Sequence, residues 1–178
     1  MKILVDIDST ITNFSHVLLD SLNKSSRTNY DHSDIISYDW FDNTFTLPWL
    51  PTNTKEFWDK VEVDKTAIKV IEQWAKNGHR VYLVSASYFN DMLGYKIRKT
   101  LENFNPKYIN ESNIIIAQHK NMIKGNILID DCVENLEKFD ECRICYAQPW
   151  NIGWEPFRRN TWKEIDNTVD KIFKITEE

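Results

Sequence analysis

Met1-Lys2-Ile3-Leu4-Val5-Asp6-Ile7-Asp8-Ser9-Thr10 joins a short apolar run to two closely spaced aspartates. Ile3, Leu4 and Val5 form an apolar run that is rich in branched residues and too short for a helix, so they read as a buried strand. Asp6 breaks the run at the strand's carboxyl end, where open α/β sheets place their ligands. Asp8 follows two residues later, and Ser9-Thr10 lead into a helical pattern. Two carboxylates against one strand end repel each other. They coexist only with a metal ion, a shared proton or ample water. A strand leaving the core through a polar turn would show the same ten residues, so the distinction has to come from the rest of the chain.

With 178 residues, 42% apolar and 28% charged, the chain supports one domain with a sizeable core and room for an inserted subdomain. A net charge of −5 argues against a binder of long nucleic acid, whose non-specific affinity comes from clustered Lys and Arg. No apolar run has the length of a membrane span and the chain runs straight into a strand, so a cytoplasmic protein with no membrane partner is expected. Cys142-Arg143-Ile144-Cys145 has the spacing of a redox or zinc motif. It reads as part of a strand, however, where residues three apart face opposite ways. No second Cys pair or nearby His completes a tetrahedral site. Cys132, Cys142 and Cys145 are therefore expected to be ordinary buried thiols.

Following the first strand, Phe14, Val17, Leu18 and Leu22 recur at helical spacing and predict a helix over 12–24. Residues 25–60 change character. They are polar and broken by Pro48 and Pro51, yet they carry Tyr30, Tyr38, Trp40, Phe41, Phe45, Trp49, Phe57 and Trp58. This reads as a small cap inserted into a core made of residues 1–24 and 61–178, with short helices near 33–37 and 54–60. So many aromatics without aliphatic company fit a cap core, a surface for a flat ligand, or both. Asp64 caps a helix with Ala67, Ile68, Ile71, Trp74 and Ala75 on its apolar face, closed by Asn77-Gly78. Val81–Val84 is a second strand, and a helix from about Phe89 to Asn103 follows with Met92, Leu93, Ile97 and Leu101 on one face. Further strands are expected at 113–117, 127–129 and 143–146, with helices over 133–139 and near the carboxyl end. Arg158-Arg159 read as a solvated turn, with assistance to a phosphate as the alternative. Strands alternating with helices at this spacing predict an α/β protein, a Rossmann-like three-layer sandwich on a mostly parallel sheet. No glycine-rich phosphate loop is present.

Parallel strands deliver all their carboxyl ends to one edge. Asp6 and Asp8, Ser85 with Ala86 and Ser87, Lys120, and Asp130-Asp131 should therefore converge. They supply a carboxylate nucleophile, further carboxylates, a hydroxyl donor and a cation. Such a set can hold a hard divalent ion and fits phosphoryl transfer through an aspartyl-phosphate.

In this order the motifs resemble those of the haloacid dehalogenase superfamily of phosphohydrolases: Asp6-Ile7-Asp8-Ser9-Thr10 matches DxDxT, Ser85 closes the second motif, Lys120 is the third and Asp130-Asp131 the fourth. The chain is more specifically similar to the 5′(3′)-deoxyribonucleotidases. The likeness rests on the insertion after the first motif, the ten-residue step from Lys120 to Asp130, and the closing segments Gln148-Pro149-Trp150-Asn151 and Thr161-Trp162-Lys163-Glu164-Ile165. Ser9 stands where that family often has Gly.

The resemblance implies a Mg²⁺-dependent phosphatase of nucleoside monophosphates. Asp6 would be the nucleophile and Asp8 the acid–base. Asp6, the Asp8 carbonyl and Asp131 would hold the metal, with Asp130 behind or sharing it. Ser85, Ala86 and Lys120 would meet the phosphate, and Trp40, Phe41 and Trp58 the base. The substrate would be a small phosphomonoester, and a homodimer is compatible with the resemblance. Lys124 and Ser87 are the rival cation and hydroxyl. A phosphatase of another small phosphoester or of a nucleic-acid 3′ end, and an inactive binding member of the superfamily, are the competing readings. Retention of both Asp6 and Asp8 argues against the last.

Overall fold

The structure is a computed structural model that describes residues 1–86, 91–155 and 157–177. Six strands form one sheet: β1 (Lys2–Asp6), β2 (Arg80–Ser85), β3 (Ile114–Ile116), β4 (Ile127–Asp130), β5 (Cys142–Tyr146) and β6 (Arg158–Arg159). Their spatial order is β3-β2-β1-β4-β5-β6, and every pairing is parallel. The order reverses direction at β1, which lies between β2 and β4, so the crevice at a topological switch point opens at the end of Asp6.

The period-two pattern of the strands divides the core. Ile3, Val5, Ile7, Val81, Leu83, Ile127, Ile129 and Ile144 join one cluster with the helices α4 (Lys65–Lys76) and α7 (Trp162–Glu177). There Trp74 packs on Trp162, and its indole N–H donates to Asp166 at 2.7 Å. Leu4, Val84, Leu128 and Cys145 face the other way, onto Leu136 of the helix α6 (Val133–Glu137) and onto Phe139. Cys142 and Cys145 thus join opposite clusters, and all three cysteines are free thiols. This is the expected three-layer α/β sandwich. The helix α4 begins as its sequence requires, with the Asp64 carboxylate accepting from the amides of Thr66 and Ala67, and Gly78 follows its end at φ +87°. No helix among the described residues is long and apolar enough to cross a membrane.

Two expectations are corrected. Arg158-Arg159 do not form a solvated turn: they are the edge strand β6, paired to Cys145 and Tyr146. The helix α1 (Phe14–Ser26), expected to lie with the core, packs inside the insertion. Its Val17, Leu18, Leu19 and Leu22 share one cluster with Ile35, Phe41, Phe45, Phe57 and Trp58. The insertion also holds more short helices than expected. It contains α2 (Trp40–Thr44), α3 (Lys55–Trp58) and 3-10 turns at His32–Asp34 and Leu50–Asn53. The two strands of chain that connect it to the sheet domain are zipped together. Thr12 bridges Val63, the Asn13 amide donates to the Glu62 carbonyl, and the Asp64 amide donates to the Ile11 carbonyl at 2.8 Å. The expected helix start at Phe89 lies outside the described residues; the helix α5 is seen over Leu93–Leu101.

The cap also touches the sheet domain through two histidines. His16 and His32 stack with centroids 3.6 Å apart, Ser15 Oγ lies 2.9 Å from His32 Nε2, and His32 meets the Trp150 ring edge-on. Desolvation pulls both imidazoles down, His32 to about 4 with the His16 charge adding to it, while Asp20 opposes the shift on His16. An unfolded chain takes up these protons near 6.5, whereas folded His32 resists until near 4. The pair therefore stabilises the fold above 6.5, and that stabilisation is lost as pH falls toward 4. Thermal melts across this interval should show a falling Tm, and His32→Gln should make the fall shallower.

Candidate active site

Parallel pairing of β1 and β4 brings Asp6, Asp130 and Asp131 together from 124 residues apart in the chain. One oxygen from each lies within 4.8 Å of the others. All three are buried. Such a cluster requires positive charge, and Lys120 provides it. This lysine is 2% exposed, sits in a 3-10 turn after β3, and donates to the Asp6 carboxylate and to Asp130 Oδ2 at 2.7 Å. Burial alone would pull its ammonium down; the two carboxylates overturn that and hold it well above its ordinary value. The rival Lys124 lies with Lys2, Arg80 and Asn126 in a hollow at the opposite edge of the sheet.

The two neighbouring aspartates are held differently. Asp130 has three donors: one oxygen accepts from the Cys132 amide at 2.9 Å, the other from Lys120 and from Asn135 Nδ2. Asp131 has a single donor on each oxygen, Thr10 Oγ1 at 3.0 Å and the Trp150 indole at 3.1 Å. Its backbone carbonyl is fixed by Asn151 Nδ2, and Asn151 in turn accepts from Arg158 Nε. The Gln148-Pro149-Trp150-Asn151 segment and β6 thus act behind Asp131.

Thr10 Oγ1 lies 3.0 Å from both Asp6 Oδ2 and Asp131 Oδ1. One hydroxyl has one proton to give, so both carboxylates cannot be satisfied by it as anions. The electrostatics agree. Burial, then the charges of Asp130 and Asp8 working against Lys120, push Asp6 up to about 7. Burial, then Asp6 and Asp130, push Asp131 well above the carboxylate range. The cluster is short of positive charge, and its donor set, all carboxylate oxygen, suits a hard divalent cation.

The loop after Asp6 returns on itself. The amides of Ile11 and Thr12 both donate to the Ile7 carbonyl, and Gln148 Nε2 holds the Ser9 carbonyl at 2.6 Å. Ser9 is in the left-handed region at φ +59°, a backbone conformation that glycine adopts without strain. The loop brings Asp8 beside the Asp6 cluster. One Asp8 oxygen accepts from Lys96; the other is buried with no hydrogen-bond partner among the described residues.

Lys96 is the site residue that the sequence reading missed. It is 3% exposed on α5, and its ammonium donates to Asp8 and to Ser85 Oγ at 2.8 Å. Met92, Lys96 and Thr100 run in steps of four along the helix, and Lys96 and Thr100 are its buried residues. The stripe of Met92, Lys96 and Thr100 carries no hydrophobic period, so its burial shows only in the structure. Ser85, at the end of β2, is fully buried, and Ala86 follows it; Ser87 lies outside the described residues.

The three expected base-binding aromatics separate. Phe41 is buried in the cap's own core, and Trp40 packs edge-on against Tyr30, Phe41 and Phe45. Trp58 is tied to the Thr52 carbonyl through its indole and has the Lys96 ammonium 5.3 Å from its ring centroid. Tyr38, 62% exposed, was not singled out as a site residue. Desolvation of its phenol, then the charges of Asp131, Cys132, Asp6 and Asp130, push it up although much of the side chain stays exposed.

Residues 1–174 match the family model described as "5′ nucleotidase, deoxy (Pyrimidine), cytosolic type C protein". The chain is 30% identical over 155 residues to proteins named 5′(3′)-deoxyribonucleotidase from Bacillus subtilis (strain 168) and from Bacillus phage SPbeta, covering 86% of this chain and 78% of each relative. A solved HAD phosphatase from Thermococcus onnurineus has the same fold, with a TM-score of 0.51 at 15% identity over 95% of this chain and 98% of that one. The family match runs through every strand and every motif described above, and the chain belongs to the cytosolic type C family of 5′ deoxynucleotidases.

Proposed function

We propose that the protein is a Mg²⁺-dependent phosphatase of nucleoside monophosphates, of the deoxyribonucleotide kind, acting through an aspartyl-phosphate on Asp6. The observation that carries the reading is the arrangement of the two first-motif aspartates. Asp6 is locked against Lys120 and Thr10, while Asp8 keeps a buried oxygen with no partner among the described residues. A fixed nucleophile beside a carboxyl group with an open oxygen is what covalent phosphoryl transfer needs. The family and the names of the relatives support the nucleotide as substrate.

In this reading an Asp6 oxygen attacks phosphorus and the ester P–O bond breaks. Asp8 gives its proton to the leaving 5′ or 3′ oxygen, so the nucleoside departs as an alcohol. Asp8 then takes a proton from water, which attacks phosphorus and releases inorganic phosphate and free Asp6. Ser85 and the Ala86 backbone meet the phosphoryl oxygens, and Lys120 keeps Asp6 oriented. Asp6, the Asp8 carbonyl and Asp131 would hold Mg²⁺, which when bound neutralises the phosphoryl charge. Asp131 is favoured over Asp130 because its two oxygens carry one neutral donor each, whereas Asp130 has three donors, one of them the Lys120 ammonium. The cap comprises α1 through α3, hinged where Thr12 bridges Val63, and its Trp58 side closes over the substrate.

A panel of deoxy- and ribonucleoside monophosphates, sugar phosphates and a 3′-phosphorylated oligonucleotide, assayed for phosphate release with and without Mg²⁺, tests this reading. Deoxynucleoside monophosphates should be turned over and chelation should stop the reaction. Release from sugar phosphates alone overturns the nucleotide assignment. Asp6→Asn should lower kcat by roughly three orders of magnitude or more.

Asp131→Asn should raise the Mg²⁺ concentration for half-maximal activity by roughly 100-fold. Asp130→Asn should instead lower Tm and kcat with a smaller change in Mg²⁺ requirement, because it leaves a buried lysine short of a partner. Equal Mg²⁺ shifts in the two variants would mean that both aspartates ligate the ion.

A further inference from the structure

We propose that Lys96 is a second phosphate-binding lysine of this site, held on Asp8 and Ser85 until a phosphoryl group arrives and kept in place from the cap by Trp58. The proposal rests on the reading of the site as a phosphate site and goes beyond the four motifs, none of which contains this residue.

Three observations support it. The first is position. The Lys96 ammonium contacts the acid–base Asp8, the hydroxyl donor Ser85 and the cap residue Trp58 together. A phosphoryl group seated between Asp6 and Ser85 therefore arrives next to it. The second is the use of donors. An ammonium has three N–H groups, and the bonds to Asp8 and Ser85 occupy two. Its flexible stem allows the head to move from a carboxylate to a phosphate oxygen without backbone movement. The third is charge. Four aspartates surround the site, and Lys120 is already shared between two of them. A dianion entering that field needs a cation not committed to Asp6 or Asp130, and among the described residues Lys96 is the buried one. A buried lysine is a poor choice for stability alone, since an apolar side chain would pack against Trp58 at lower cost.

The position also couples the phosphate to the cap. On the same helix, Tyr95 donates its hydroxyl to Asp59 at 2.5 Å and Lys99 lies 3.9 Å from that carboxylate, while Lys55 of α3 stands 5.4 Å from the Tyr95 ring centroid. The helix that carries Lys96 is thus the one on which the cap's α3 rests. Movement of Lys96 onto phosphate would release Asp8 for its proton transfers while the cap stays seated.

The test is calorimetric titration with inorganic phosphate, in the presence of Mg²⁺, of the wild-type protein and of Lys96→Met, Lys96→Gln, Lys96→Arg, Asp8→Asn and the double variant Asp8→Asn/Lys96→Met. Lys96→Met and Lys96→Gln should each weaken phosphate binding by roughly 10- to 100-fold, the range for one charged hydrogen bond. KM for the substrate should rise by a similar factor. Lys96→Arg should recover most of the loss. If the lysine contacts phosphate, the loss persists at full size in the Asp8→Asn background; if it only orients Asp8, the loss vanishes there and the proposal is overturned. Equal phosphate affinity with and without Lys96 overturns it as well. Lys96→Gln keeps a donor at the site and stands in should Lys96→Met fail to fold. Wild-type protein that binds phosphate but releases none from nucleotides overturns the nucleotide assignment alone and leaves the Lys96 result standing. Wild-type protein that binds no phosphate overturns the phosphate-site reading and Lys96's role with it.

Discussion

One buried ammonium holds the centre of this protein together. Lys120 sits between Asp6 and Asp130, which end the adjacent parallel strands β1 and β4. Without it the two strand ends would present like charges in a low-dielectric crevice, and the pairing that builds the sheet would work against the site that it creates. The chain supplies the lysine from a turn that follows β3, on the far side of β2. Closing the site therefore requires the whole β3-β2-β1-β4 order. The fold and the constellation are in this sense one constraint: the switch point at β1 is useful because a lysine from one flank reaches the acids of both central strands.

That constraint explains what could be read from the residues alone. Asp6, Ser85 and Asp130 each end a short apolar run, a local pattern that places them on one edge whatever the details of packing. Lys120 was within reach because it follows its strand by a few residues and because the family resemblance gives meaning to the ten-residue step to Asp130. Lys96 was not, because its helix looks amphipathic in the ordinary way. Met92, Leu93, Ile97 and Leu101 form a plausible apolar face, yet the residues that bury themselves are Lys96 and Thr100. A helix with one stripe on a core and another on a catalytic crevice shows only the first in its hydrophobicity. The β6 strand failed for a simpler reason: two residues carry no period, and Arg158-Arg159 gain strand geometry from β5.

The helix α1 shows a different limit. Its apolar spacing was correct, but periodicity identifies a buried face without naming what buries it. The sheet has α4 and α7 on one face and α6 on the other, so α1 turns to Ile35, Phe41, Phe45, Phe57 and Trp58. Those aromatics gain the aliphatic company that residues 25–60 lack on their own. Most of the cap's aromatic content is accounted for by this core, with Trp58 at its border against Lys96. The abundance of aromatics in the sequence thus overstated how many of them face the site.

The side chains of the site leave needs unmet in two defined places. Thr10 has one proton for two carboxylates, Asp6 and Asp131, on the side where a divalent cation would stand. Asp8 has one oxygen on Lys96 and one buried with no partner among the described residues. Burying a polar group without a partner costs about 1–3 kcal/mol, a cost the fold carries at Asp8. The two places are not interchangeable. The first lacks a positive charge and can be met by a cation alone. The second lacks a hydrogen-bond partner, and in the proposed reaction a protonated Asp8 would meet it by donating to the leaving oxygen and then by accepting from water. The separation follows from two residues of chain: Asp6 still belongs to the strand, whereas Asp8 has already left it for the loop that Gln148 holds by the Ser9 carbonyl.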